Sequence, residues 1–210
     1  MQAKNVLIAA NGTWPNQAIW EPLVICSDIV IACDGAVVQL LQNEIIPDFI
    51  VGDLDSIPQQ MIGSQIEQLG IKVIPMPNQD SNDLAKALQY CNNLGATNID
   101  VIGVEGGRLD HQIGAYFSLC EQGSNATLHL DNWTARLVPS GGIVLESIEK
   151  GKNISLFAIG TVKGVTLSGV KWILNNEELL PGTSGLHNES IGGKIKISHL
   201  GGHLLLLVER

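Results

Sequence analysis

At 210 residues, 45% apolar and 16% charged, the chain is long enough for a real core and too apolar to be disordered. Its formal charge of −9 argues against nucleic acid and anionic membranes as partners, because both need basic patches. No stretch approaches the ~18 apolar residues of a membrane span. The first apolar run, Val6–Ala10, is too short for a secretion signal and leads into Asn11-Gly12, so a cytoplasmic location is expected. Cys26, Cys33, Cys91 and Cys120 form no C-x-x-C pair, and all four are expected as free, buried thiols.

From Val6 the chain alternates strand and helix. Ile29–Cys33 is a second apolar run, ending at Asp34-Gly35, and Ala36–Leu41 reads as a helix. Phe49–Val51 is a third run, ending in Gly52-Asp53. Ile62, Ile66 and Leu69 share one helical face, with Gly70 as the stop. Val73-Ile74 is a strand closed by Pro75 and Pro77. Leu84, Ala87, Leu88 and Cys91 recur at helical spacing, so Asp83–Asn93 is an amphipathic helix capped by Asn82 or Ser81. Ile99–Val104 is the next strand. Ile113, Tyr116, Phe117 and Cys120 mark a helix that stops near Gly123, with Cys120 on its buried face, and Ala126–Leu130 is a sixth strand. Apolar strands separated by helices predict a parallel sheet covered on both faces.

After Asp131 helical periodicity disappears. Thr134–Val138, Ile143–Ile148, Ile154–Ile159, Val165–Leu174, Lys194–Ser198 and His203–Val208 are strand-like runs separated by glycine-rich turns. The reading is an α/β domain over 1–131 and an antiparallel β domain, sandwich or barrel, over 132–210. So small a β domain needs neighbours for stability, which favours a homodimer.

The polar residues of the first half are not scattered. Asn11, Asp34, Asp53, Asp55, Asp80, Asp83 and Asp110 all follow the carboxyl end of an apolar strand, the edge where open parallel sheets bind ligands. Gly52-Asp53-Leu54-Asp55-Ser56 can aim two carboxylates at one hard cation, although Asp and Ser are also ordinary turn residues. Asn78-Gln79-Asp80-Ser81-Asn82-Asp83 puts two acids at a helix start, where capping alone explains one. It lacks the glycine and distal glutamate of a calcium loop. Gly103-Val104-Glu105-Gly106-Gly107-Arg108-Leu109-Asp110-His111 offers backbone amides, a helix N-terminus and a guanidinium to an anion. No P-loop, complete dinucleotide fingerprint or nucleophile elbow is present. His199 and His203 are separated by Gly201-Gly202, which disfavours a helical zinc pair, and His129 reads as structural.

Taken in order, Ala32-Cys33-Asp34-Gly35-Ala36, Gly52-Asp53-Leu54-Asp55-Ser56, Gln79-Asp80-x-x-Asp83 and Gly106-Gly107-Arg108-x-Asp110-His111 resemble the thiamine pyrophosphokinase (thiamin diphosphokinase) family. Gly169-Val170-Lys171-Trp172-x-Leu174-x-Asn176, Gly182 and Asn188-Glu189 resemble that family's thiamine-binding domain, so the likeness covers nearly the whole chain. The resemblance implies a cytoplasmic, magnesium-dependent transferase that moves pyrophosphate from ATP to thiamine, giving thiamine diphosphate and AMP. It implies a Rossmann-like ATP- and magnesium-binding domain, a β-sandwich thiamine-binding domain and a homodimer. By match, Asp53, Asp55, Asp80 and Asp83 are the catalytic and metal-binding residues. Asn11, Asp34, Gly35, Arg108, Asp110 and His111 surround the nucleotide, and Gln79, Trp172 and Asn188 contact thiamine. The family often carries an acid at Asn78, a threonine at Asn82 and a serine at His187. Rival readings are a pyrophosphokinase for another alcohol such as a hydroxymethyl pterin, a non-catalytic binding module, and a magnesium-dependent phosphohydrolase.

Overall fold

The computed structural model describes residues 4–55 and 65–210. The chain divides into two units, Met1–Asp131 and Asn132–Arg210. Two residues named above, Ser56 and Ile62, lie outside the described residues.

The first unit runs β1 (Asn5–Ala9), α1 (Gln17–Cys26), β2 (Ile29–Cys33), α2 (Ala36–Gln42), β3 (Phe49–Gly52), α3 (Gln65–Gln68), β4 (Lys72–Pro75), α4 (Asp83–Leu94), β5 (Asn98–Ile102), α5 (Leu109–Gln122) and β6 (Thr127–His129). Its strands lie in the order β4-β3-β2-β1-β5-β6, and each neighbouring pair is parallel. Leu7, Ala9, Ala32 and Ile50 pack on Ala36, Val37 and Leu40 of α2. Alternation turns Ile8, Ile31 and Val51 to the opposite face, the one on which α4 packs. Burial on both faces is why these strands read as unbroken apolar runs. From β1 the chain goes to β2 on one side, and from β4 it returns to β5 on the other. The carboxyl ends of β1 and β5 therefore border a topological switch point, where ligands of such sheets bind.

Several expectations need correction. Helix α1 was not read from the sequence, since Pro22 sits inside it and no residue in it is fully buried. Its start is nevertheless conventional: Asn16 Oδ1 accepts a hydrogen bond from Ala18 N at 3.0 Å. Cys26, at its end, is exposed and Cys120 half-buried, whereas Cys33 and Cys91 are buried. On α5 the residues turned inward are Ala115, Ser118 and Leu119, while Ile113 and Phe117 are 48% and 53% exposed. Tyr116 is half-buried, Leu119 is fully buried, and Ser118 reaches Asn82 at the start of α4.

The second unit runs β7 (Trp133–Leu137), β8 (Ile143–Ile148), β9 (Asn153–Ser168), β10 (Leu174–Leu179), β11 (Asn188–Glu189), β12 (Gly193–Ser198) and β13 (Gly201–Glu209), with no helix among the described residues. Every pairing is antiparallel. The runs Ile154–Ile159 and Val165–Leu174 do not form two strands. Gly160 and Gly164 have positive φ and look like turn punctuation, but the chain between them stays paired, Val162 to Leu179 and Lys163 to Gly201. One 16-residue strand results. Ile154 to Ile159 pair with β13, which Lys163 also meets at Gly201; β11 joins at Asn153 and Ile154, β10 pairs with Val162, Val165 and Leu167, and β12 pairs with Thr166, Leu167 and Ser168. Ile154, Leu156, Leu167, Ile195, Leu204 and Leu206 form the core. Strand β10 escaped the sequence reading because its Asn-Asn-Glu-Glu centre is exposed and shows no alternation. No helix among the described residues is long and apolar enough to cross a membrane.

Candidate active site

A cleft of about 500 Å³ opens at the carboxyl edge of the parallel sheet, lined by the loops after β1, β2, β3 and β5 and by the start of α4. The β1 and β5 loops are zipped together. Gly12 N donates to Gly103 O at 2.8 Å, and Thr13 N donates to Glu105 O at 2.6 Å. A Cβ at position 12 would lie 2.5 Å from Gly103 O, so this approach requires glycine. The same seam carries Asn11 and the amides of Gly106 and Gly107 into the cleft lining.

Across the cleft stand the carboxylates. Asp34, at the end of β2, is buried and held at φ 36, a conformation costly for a side-chain-bearing residue. Leu54, between Asp53 and Asp55, is also left-handed, at φ 71, which folds that loop tightly enough to turn both acids the same way. Gly52 makes room, because a Cβ there would lie 2.9 Å from that of Asp34. The result is a group in which Asp34, Asp53 and Asp55 each offer an oxygen within 4.8 Å of the others. All three donors are hard carboxylate oxygens, the set that magnesium prefers.

Helix α4 supplies the far wall. Its N-cap, Asn82, accepts from Ala85 N at 2.8 Å and from Ser118 Oγ at 3.0 Å, so the amide both caps α4 and ties it to α5. One turn in, Lys86 is only 3% exposed, and its Nζ lies 3.1 Å from Asp83 Oδ1 and 3.4 Å from Asp53 Oδ2. A buried ammonium is tolerable only when paired in this way. Burial works to raise the Asp53 pKa, but the Asp55 backbone N–H and the Lys86 charge outweigh it and hold the carboxyl below its usual range. Burial likewise works to lower Lys86, and the hydrogen bond and charge of Asp83, then those of Asp53, leave it raised.

The remaining expected residues fall around this centre. Gln79 and His111 line the cleft. Arg108 lines it too, with its fork engaged by Asp110 in two bonds, Nε to Oδ1 at 3.1 Å and Nη2 to Oδ2 at 2.6 Å. Those bonds bring the exposed Asp110 carboxyl down to about 2. Gly35 lines the cleft beside Asp34. Asp80 is exposed and outside both the lining and the three-carboxylate group; its N–H donates to Asn78 Oδ1 at 2.8 Å. Lys86 was missed because a lysine in an amphipathic helix ordinarily faces water. Its one signal is its place three residues after Asp83, within the stretch that also holds Leu84, Ala87 and Leu88.

The second unit has its own pocket, about 280 Å³, lined by Leu156, Leu167, Trp172, Leu174, His187 and Asn188 among others. Trp172 is 61% exposed, which excludes a core role. Asn188 is buried and clamps the Trp172 backbone: its Nδ2 donates to Trp172 O at 2.6 Å, and its Oδ1 accepts from Trp172 N at 3.1 Å.

Residues 20–130 match the family model "Thiamin pyrophosphokinase, catalytic domain", and residues 142–200 match "Thiamin pyrophosphokinase, vitamin B1 binding domain". The chain is 32% identical to thiamine pyrophosphokinase 2 of Arabidopsis thaliana over 72% of its own length, a match that spans 62% of the plant protein. It is 27% identical to thiamine pyrophosphokinase of Bacillus subtilis, over 97% of this chain and 93% of that one. The crystal structure of thiamine pyrophosphokinase from B. subtilis superposes with a TM-score of 0.79 at 25% identity, covering 97% of this chain and 98% of the other. The order of motifs along the chain, the cleft they form and these matches agree: the chain belongs to the thiamine pyrophosphokinase family.

Proposed function

We propose that this chain transfers the pyrophosphoryl group of ATP to the hydroxyethyl oxygen of thiamine, giving thiamine diphosphate and AMP. The observation that carries this reading is the Asp34–Asp53–Asp55 group, facing a glycine-built loop and Arg108 across one cleft. In the reaction the alcohol oxygen bonds to the β-phosphorus, the bridge to the α-phosphate breaks, and AMP leaves with the bridging oxygen. Catalysis of that kind is chiefly positioning and electrostatics.

Asp53 and Asp55, with Asp34 beside them, would hold magnesium, and Asp83 flanks them. A bound magnesium ion supplies charge neutralisation on the phosphate oxygens. Asp80 lies in the exposed loop ahead of α4, so a share in metal binding or in accepting the alcohol proton requires that loop to turn inward. The amides of Gly106 and Gly107 and the N-terminus of α5 cradle phosphate. Asn11, Asp34, Gly35 and His111 border the nucleotide. Arg108 meets the phosphates by exchanging Asp110 for them, which an exposed ion pair permits at little cost. The exposed face of Trp172 takes thiamine, whose thiazolium cation and flat pyrimidine both suit an indole; Gln79 keeps its thiamine role by resemblance to the family. Asn188 acts by holding the Trp172 backbone.

The fold reading that goes with this is a Rossmann-like ATP domain over 1–131, supported by the strand order around β1, and a β-sandwich thiamine domain over 132–210, supported by the two ladders shared along β9. A cytoplasmic homodimer is part of the proposal. Leu109, Ile113 and Phe117 form an exposed apolar row on α5 that a second copy can cover. The pterin alternative finds no support, since the second family match is to a vitamin B1 binding domain.

The test is a product assay with ATP, magnesium and thiamine that separates AMP from ADP. Thiamine-dependent AMP, equal to the thiamine diphosphate formed, is expected. ADP in its place, or AMP without thiamine, would overturn the proposal.

A further inference from the structure

Lys86 is a buried cation in the cleft that metal binding does not by itself explain. The metal group and the ion pair share a residue: Asp53 belongs to the three-carboxylate group and also receives Lys86 through Oδ2 at 3.4 Å. The other anchor, Asp83 Oδ1, is 3.1 Å away on the opposite wall, so the ammonium bridges the β3 loop and α4. With a side chain 3% exposed, it cannot be serving as a solvated surface charge. Four carboxylates line this part of the cleft, Asp34, Asp53, Asp55 and Asp83, and Lys86 is the cation placed among them. An ammonium has three donors, and Asp83 and Asp53 take two of them. A divalent ion arriving at Asp53 therefore meets a cation already bound to the same carboxylate, and like charges so close repel strongly in a partly dry site.

Resting on the metal reading above, we propose that Lys86 is a resident counter-cation that competes with the divalent ion for Asp53 and, when metal and nucleotide bind, passes its ammonium to an anionic phosphate oxygen. Without ligand, Lys86 keeps the crowded carboxylates from forcing the β3 loop and α4 apart. With ligand, its charge moves from holding the site together to holding the substrate. The residue positions the site in the first state and contacts substrate in the second.

The experiment compares wild type with Lys86→Met, using Mn2+ alone in calorimetry and in thermal melts, and ATP in steady-state kinetics. Without nucleotide, Mn2+ should bind the variant about tenfold more tightly than wild type, because a competitor has been removed. The variant should melt lower than wild type without metal, and Mn2+ should raise its melting temperature by more than it raises that of wild type. The KM for ATP should rise about tenfold while that for thiamine stays unchanged. A Mn2+ affinity in the variant equal to or weaker than wild type overturns the inference. If the variant is too unstable for calorimetry, the melt decides: a deficit that Mn2+ does not narrow also overturns it. Wild type that neither takes up Mn2+ nor gains stability from it overturns the metal reading together with this inference. A responsive wild type beside an unresponsive variant overturns the inference alone.

Discussion

The two cavities of this chain are built on opposite principles. The cleft of the parallel unit is made of charge: carboxylates, a buried ammonium and backbone amides, set by strained or glycine-only backbone at positions 12, 34, 52 and 54. The pocket of the antiparallel unit is lined by four leucines and an indole, with Ser184 and His187 beside them and, among the described residues, no carboxylate or ammonium, and its buried amide, Asn188, serves the backbone. The first gains selectivity from where charges are fixed. The second gains it from shape and an exposed aromatic face. Changes in the first should therefore act on the chemical step, and changes in the second on the acceptor's affinity or on stability.

The largest effect expected is from Asp53→Asn. Losing the carboxylate that belongs to the three-carboxylate group and pairs with Lys86 should lower kcat/KM by about 100-fold or more, while thiamine binding, followed by calorimetry, stays within error. Full activity in this variant would remove the cleft from the chemistry. Next comes Trp172→Ala, which should raise the KM for thiamine about tenfold with kcat little changed, the loss of one stacked ring. A fall in kcat of the same size would blur the division between the cavities.

Asn188→Ala sharpens it from the structural side. Two hydrogen bonds to Trp172 and one from Glu189 N disappear, so stability should fall by about 2 kcal/mol in a denaturant melt, with a weaker effect on thiamine affinity. The smallest effect concerns pH. The Asp53 carboxyl is held below its ordinary 3.8, so its contribution is present above that value and is lost as pH falls through the lower folded value. Wild type should lose more stability than Asp53→Asn as pH falls below about 4, and equal losses would deny the ion pair a role. Lys86 is raised above 10.5, so its contribution is complete below that value and is lost only when pH climbs past the higher folded one. No matching change is expected near neutrality.

Much of this was legible in residue order. Strand runs bounded by Asn11-Gly12, Asp34-Gly35 and Gly52-Asp53 announced a parallel sheet whose polar residues gather at one edge, because side-chain burial and turn chemistry are local. The Asn82 cap and the Leu84–Leu88–Cys91 stripe placed α4 for the same reason. The long-range facts were not legible. Which side of α5 faces inward depends on what α4 presents to it, and the small residues Ala115 and Ser118 were the ones that fitted. The continuity of β9 through Gly160 and Gly164 depends on partners at Leu179 and Gly201, and no local pattern reports them. Lys86 shows the limit most clearly. By sequence alone it is an ordinary helix lysine. Only the tertiary structure brings Asp53, 33 residues away, within 3.4 Å of its ammonium. Sequence determines which groups are present and which local turns they favour; where a charge is dry, and against what, is decided by packing between segments far apart in the chain.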